Sequence, residues 1–264
     1  MNPATPLNGS KIFSRTHSAR CTASDVLNWS GMQALVSGET DRIIFSMRRV
    51  LLETPLVHEG QAVEYLYCVG AGSFKTVQTD LEGYEQVLGF CLHGDTIGLD
   101  GLCTNRHASG AIALEDSTVA VLPFRDLLSL SRKLPAIEQF LHQALGSEMR
   151  HRSETQYLMS ASSSEVRVAR FLLHFSQRQN ALGLSDRRLR LRMCRRDIAS
   201  CLGLAHETVS RALTALAQAK CITVSNRDIE IIDAVLLHAL QRATRGGRPV
   251  SVVQKAGQAV PQAS

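Results

Sequence analysis

Between Val50 and Pro123, apolar and polar residues alternate in short runs interrupted by glycine. Val63–Val69, Ser73–Val77 and Gln86–Phe90 are the clearest of these runs. Alternation at every residue is the signature of a strand with one face in a core, and Glu82-Gly83 between two runs marks a hairpin turn. Strands at roughly ten-residue spacing predict an antiparallel barrel or sandwich. From residue 134 the period changes. Ile137, Leu141, Leu145, Met149, Arg152, Gln156 and Met159 step by three or four, which predicts a long helix over 134–159. That stripe outlasts one face of a small barrel, so the helix is expected to pair with a second copy of itself through Ile137, Leu141, Leu145, Met149, Arg152 and Met159. A helix that only covers its own domain is the other reading.

A second helix is expected over Glu165–Gln179, with Ser164 as N-cap and a stripe of Val168, Leu172 and Phe175. Leu189, Leu191 and Met193 alternate with Arg188, Arg190 and Arg192, a strand pattern. The next segment, Arg195–Ala219, reads as two short helices joined at Gly203. Ile198, Ala199 and Leu202 share one face of the first helix, and Val209, Ala212 and Leu213 share one face of the second. Gly203 lets the chain turn sharply between them. Two helices crossing at a glycine turn form a helix-turn-helix, whose second helix enters the DNA major groove. His206, Glu207, Ser210 and Arg211 are left on its outer face and are the candidate base-reading residues. An ordinary helical hairpin is the bland alternative. Cys221–Val224 and Ile229–Ile232 flank a turn and read as a β-hairpin wing.

Charge sharpens this picture. Residues 41–130 carry 6 Lys/Arg against 12 Asp/Glu, whereas residues 161–240 carry 12 against 7. The basic half is the half with the helix-turn-helix, so that half is expected to meet a polyanion. Arg188, Arg190, Arg192, Arg195 and Arg196 are candidates for phosphate contacts. The seven cysteines are scattered and form no C-x-x-C pair, which fits neither a disulfide framework nor a zinc site. No apolar run is long enough to span a membrane and no signal-peptide pattern occurs, so a cytoplasmic chain without a membrane partner is expected. The fold class is α+β. Residues 1–30 are expected to be a flexible arm, 31–131 an antiparallel β domain opened by a short helix around Gly31–Ile43, 132–160 the dimerisation helix, 161–240 a winged helix-turn-helix and 241–264 a disordered basic tail.

From Gly60 to Leu240 the chain resembles the Crp/Fnr family of bacterial transcription regulators. The resemblance is carried by Gly60, Leu66-Tyr67, Gly72, Gly94-Asp95 and Gly98, then by Asp197–Leu204 and Glu207-Thr208-Val209-Ser210-Arg211. It implies an N-terminal β-roll, a dimerisation helix and a C-terminal winged helix. The E-x-x-S-R pattern is similar to the Fnr branch and implies a TTGAT-like half-site, a homodimer on double-stranded DNA and a role as activator touching RNA polymerase. The Asp80–Tyr84 turn is a candidate for that last contact.

Ligand positions of the family are altered here. Where the family's cyclic-nucleotide site has Gly-Glu-Leu and Arg-Ser, this chain has Gly98-Leu99-Asp100 and His107-Ala108-Ser109-Gly110, so no cyclic AMP binding is expected. Of the thiolates that would hold a [4Fe–4S] cluster only Cys21 is in place; the others fall at Ser18, Leu27 and near Ala120. No cofactor is predicted; the alternative within the family is a regulator gated by an unidentified small ligand in the β-roll or by haem on His58, His93 or His107. A cupin-type metalloenzyme would need an H-x-H pair that the β domain lacks, and no catalytic constellation stands out, so the chain is read as a non-enzyme.

Overall fold

The computed structural model describes residues 19–161 and 163–242. The N-terminal domain contains β1 (Arg20–Thr22), β2 (Ile44–Val50), β3 (Pro55–Val57), β4 (Tyr65–Ala71), β5 (Phe74–Thr79), β6 (Glu85–Cys91), β7 (Thr96–Ile97), β8 (Gly110–Ala113) and β9 (Ser117–Pro123). They form two antiparallel sheets, ordered β1-β2-β9-β4-β7 and β3-β8-β5-β6. Strand alternation sorts the side chains into two cores. Tyr67 and Val69 of β4 and Val119 of β9 point between the sheets, with Phe74 and Ile97. Their neighbours Leu66, Cys68, Ala120 and Leu122 point the other way, into a core closed by helices. β4 is therefore buried on both faces over Leu66–Val69.

Those closing helices are α1 (Ala23–Trp29) and the start of α4 (Pro135–Met159). In α1, Ala23, Val26 and Leu27 are buried, and the Thr22 hydroxyl accepts from the Asp25 N–H at 3.1 Å while the Asp25 carboxylate accepts from the Thr22 N–H at 2.7 Å. This reciprocal cap closes the helix start. Residues 20–29 thus belong to the β domain, since β1 pairs with β2, and do not form part of a loose arm. The arm before residue 19 lies outside the described residues, as does the tail after 242. The helix expected around Gly31–Ile43 is instead a 3-10 turn at Gln33–Leu35 and the short α2 (Gly38–Asp41). After β9, α3 (Phe124–Ser131) leads into α4, whose Pro135 sits in its first turn, where a missing N–H costs little.

The C-terminal domain holds α5 (Ser164–Ala181), β10 (Arg188–Arg190), α6 (Arg195–Leu202), α7 (His206–Gln218), β11 (Ile222–Ser225), β12 (Asp228–Ile231) and α8 (Ala234–Arg242). Ser163, one residue earlier than expected, occupies the N-cap position of α5, and its hydroxyl donates to the Glu165 carboxylate rather than closing the helix end. β10, β12 and β11 form the wing sheet. The core of this domain does not end at its own border. Val77, Val87, Phe90 and Leu92 of the β domain pack in one buried cluster with Leu172, Phe175, Ile198 and Leu213. Phe90 meets Phe171 edge to face, ring centroids 6.0 Å apart.

Candidate nucleic-acid interface

Packing decides which side chains α7 presents outward. Val209, Ala212, Leu213 and Leu216 are buried against α5 and α6. The opposite side of the helix carries His206, Glu207, Ser210 and Arg211, all exposed. Thr214 and Gln218 extend that row by one turn each and are also exposed; the i+3 and i+7 spacing from Arg211 is the signal that would have found them. Gly203 turns the chain in the left-handed region at φ 61°, and the Leu204 N–H closes the end of α6 on the Ala199 carbonyl at 2.9 Å. Ala205 gives α7 no side-chain cap.

The exposed residues are loosely held. Glu207 lies 3.2 Å from His206 Nδ1, with both side chains about half exposed, and the Ser210 hydroxyl donates to the His206 carbonyl at 3.1 Å. Arg211 makes no hydrogen bond or ion pair among the described residues. A free guanidinium, a carboxylate and a hydroxyl on one helical face are groups able to address base edges.

The five arginines expected at phosphates are placed differently from one another. Arg196 is exposed without a partner among the described residues. Arg195 donates to the Asn226 carbonyl in the wing turn at 2.8 Å. Arg188 pairs with Glu230 at 3.3 Å and Arg190 with Asp228 at 3.9 Å, both across the wing sheet and largely exposed. Arg192 turns toward the β domain and meets Glu115 at 3.1 Å.

The seam expected on α4 is divided as well. Ile137 is 2% exposed and packs inside the chain's own core with Phe140 and Ala144, because the first turns of α4 cover the β sheet. It is therefore not part of a free face. Leu141 is half-buried, whereas Leu145 and Met149 are 40% and 71% exposed. Arg152 is exposed and bridges to Glu148 one turn back at 2.7 Å. Met159 is half-buried beside the Gly203 turn.

No pattern along the chain announces how the reader sits on the β domain. Lys75 of β5 donates to Asp197 of α6 at 2.8 Å, and both side chains are under 20% exposed. Burial works against the Asp197 charge, but Lys75 and the Cys194 N–H outweigh it and hold the carboxyl below its ordinary value. The Ser200 hydroxyl accepts from the Val87 N–H at 2.8 Å and from the Tyr84 hydroxyl at 3.4 Å. The Gln86 amide donates to the Ser200 carbonyl. Tyr84, in the turn considered for polymerase contact, thus leans on the reader, while Leu81 at the same tip is fully exposed. These ties engage α6 and leave the outer face of α7 open.

Residues 166–240 match the Crp-like helix-turn-helix domain and residues 47–133 the cyclic nucleotide-binding domain. The transcriptional regulatory protein Btr of Bordetella pertussis is 34% identical over 217 residues, covering 82% of this chain and 90% of its own length. The chain belongs to the Crp/Fnr family of transcription regulators. The transcriptional activator protein Anr of Pseudomonas protegens is 34% identical to this Crp/Fnr regulator over 214 residues, 81% of the chain and 86% of Anr. The structure of FixK2 from Bradyrhizobium japonicum superimposes with a TM-score of 0.68 at 26% identity, over 78% of this chain and all of that one. This chain accordingly combines a cyclic-nucleotide-binding-type β domain, the long helix α4 and a C-terminal helix-turn-helix with its small sheet, and it is a transcription regulator, not an enzyme. No helix among the described residues is long and apolar enough to cross a membrane.

Membership in the Crp/Fnr family raises the question of a bound cyclic nucleotide, and the pocket does not fit one. Only about 20 Å³ remains between Gly98, Asp100, His107 and Ser109. The Ser109 hydroxyl donates to Asp100 at 2.6 Å, and His107 Nδ1 stands 3.8 Å from the same carboxylate, with the His107 and Asp100 side chains both buried. Burial opposes the Asp100 charge, yet His107 and Ser109 hold its pKa below the ordinary value. A carboxylate thus stands against the His107–Ser109 segment, where it repels an anionic phosphate. The same volume admits no porphyrin beside His107; His58 is exposed, and His93 Nδ1 is engaged by the Gly70 carbonyl at 2.8 Å. The iron–sulfur ligand set does not fit either. Cys21, Leu27 and Ala120 lie together in one apolar core, and burial pushes the Cys21 thiol up to about 11 and the Cys68 thiol up to about 12.

Proposed function

We propose that this chain acts as a homodimeric transcription activator of the Fnr-like branch without that branch's cluster ligands, reading near-palindromic sites built from TTGAT-like halves. The carrying observation is the outer face of α7, where Glu207, Ser210 and Arg211 stand exposed on a helix whose other side is fully packed. Arg211 is assigned to a guanine through O6 and N7, Glu207 to a base amino group, Ser210 to a thymine edge, and His206 to a flanking base or phosphate. Arg195 and Arg196 at the start of α6, with Arg188 and Arg190 on the wing, supply phosphate contacts; Arg192 joins them only when Glu115 releases it.

Two copies pair through the exposed Leu145 and Met149, with Leu141, Arg152 and Met159 at the margin of the seam. Pairing sets two recognition helices about 34 Å apart, one turn of DNA, which accounts for a near-palindrome. An activating role is supported by the name of Anr, a transcriptional activator, and contact with RNA polymerase is the route we assign to it. The test is a mobility-shift titration on inverted TTGAT half-sites and on a scrambled duplex of equal length. Preference for the first, lost in Arg211→Ala, is the expected result. Equal affinity for both duplexes would overturn the reading.

A further inference from the structure

A second cleft, of about 420 Å³, opens where the end of α1, the β6–β7 turn, α4 and α5 meet. Its size falls in the range of small-molecule sites, about 300–1,000 Å³. Trp29 forms one wall, 6.0 Å from the His93 ring. Arg150 and His151 reach it from α4 and Arg178 from α5. Arg178 is held by the Phe90 carbonyl at 2.7 Å and by Asp95, and the Arg178 and Asp95 side chains are each 17% exposed. Asp95 also accepts from the Leu92 N–H at 2.7 Å, which fixes it in the β6–β7 turn. Gly94 permits that turn to pass under α1: its φ is 83°, and a Cβ there would lie 2.0 Å from the Trp29 carbonyl oxygen. Asp95 therefore presents to Arg178 the carboxylate that a small anion would otherwise supply.

We propose that this cleft binds a small organic anion, a carboxylate or phosphate ester with a flat portion lying on Trp29, through Arg178 with Arg150 and His151. Burial, and then Arg178, lower the His151 pKa, so at neutral pH the imidazole is uncharged and hydrogen-bonds to the ligand without adding charge. The anion competes with Asp95 for Arg178. Because Asp95 belongs to the β domain and Arg178 to α5, occupancy loosens one of the ties that seat the reader, and binding is thereby coupled to DNA affinity. The coupling rests on the regulator reading above; the binding site does not.

Trp29 is the only tryptophan of the chain, so its emission reports on the cleft directly. Titration of the full-length protein with phenyl phosphate, inorganic phosphate and succinate, with neutral succinamide as control, is the test. Saturable emission changes with the anions and none with succinamide are expected. Asp95→Asn frees Arg178 and is expected to tighten anion binding by roughly tenfold, the worth of one charge-assisted hydrogen bond. Arg178→Gln abolishes the response, and Arg178→Lys restores part of it. No saturable change in either the wild type or Asp95→Asn overturns the proposal, as does an unaltered response in Arg178→Gln. A protein that prefers TTGAT sites but fails this titration loses only the cleft. One that responds to anions but ignores TTGAT sites loses the regulator reading instead.

Discussion

The pocket of the β domain and the outer face of α7 are built from similar polar residues and reach opposite ends. In the pocket, Ser109 and His107 face Asp100, and all three are closed off from solvent with almost no volume left. On α7, among the described residues, Arg211 has no partner and Glu207 has only its exposed neighbour His206. The buried Ser109 hydroxyl and Asp100 carboxylate satisfy each other within the chain, whereas exposed groups can leave their partners to be supplied from outside. The same chemistry is structural in the first place and available for recognition in the second.

The contrast is tested most severely on α7. Arg211→Ala and Glu207→Ala are expected to cost roughly 1–3 kcal/mol per half-site and to blur specificity at one base position, measured by competition against operators changed base by base. Unchanged discrimination in both variants would place the recognition face elsewhere. Next in size is the seam. Leu145→Glu with Met149→Glu puts like charges opposite one another in a paired helix, and sedimentation is expected to show a monomer with weakened operator binding. A dimer that survives both changes excludes that face.

The tie between the domains ranks third. Lys75→Met leaves Asp197 half-satisfied and is expected to lower stability by about 1–3 kcal/mol in urea titration at neutral pH. The pH dependence has a definite sign. The Asp197 and Asp100 pKa values are held below their unfolded values, so their contribution is fully present above about pH 4 and is lost as pH falls through the folded values. The stability gap between wild type and Lys75→Met should therefore shrink on acidification, and a constant gap would argue against the pair. The smallest effect separates two arginines. Arg196→Ala should reduce the salt slope of DNA binding by about 0.9, one phosphate contact, while Arg192→Ala should leave it nearly unchanged as long as Glu115 holds that side chain.

The helix-turn-helix was legible because its signal is local. Ile198, Leu202, Val209 and Leu213 repeat at helical spacing, and Gly203 takes the left-handed turn expected of it. The β strands and the wing were legible for the same reason. The seating of the reader was not, because the Val87 N–H and the Ser200 hydroxyl are 113 residues apart and nothing in either stretch announces the other. Ile137 shows a related limit. Periodicity identifies the face of α4 it occupies, but at this end of the helix the β sheet with α1 and α3, and not a second copy, covers that face. The first turns of the domain were underestimated because α1 has only seven residues and three buried apolar contacts, too few to stand out from a polar segment.

The row Val77, Val87, Phe90 and Leu92 continues without a break into Phe171, Phe175 and Ile198. Heat that frees one half strips an oily surface from the other, so both halves should melt in a single cooperative step. An excised reader would start life with Phe171 facing water, and its DNA affinity measured alone would understate that of the whole chain.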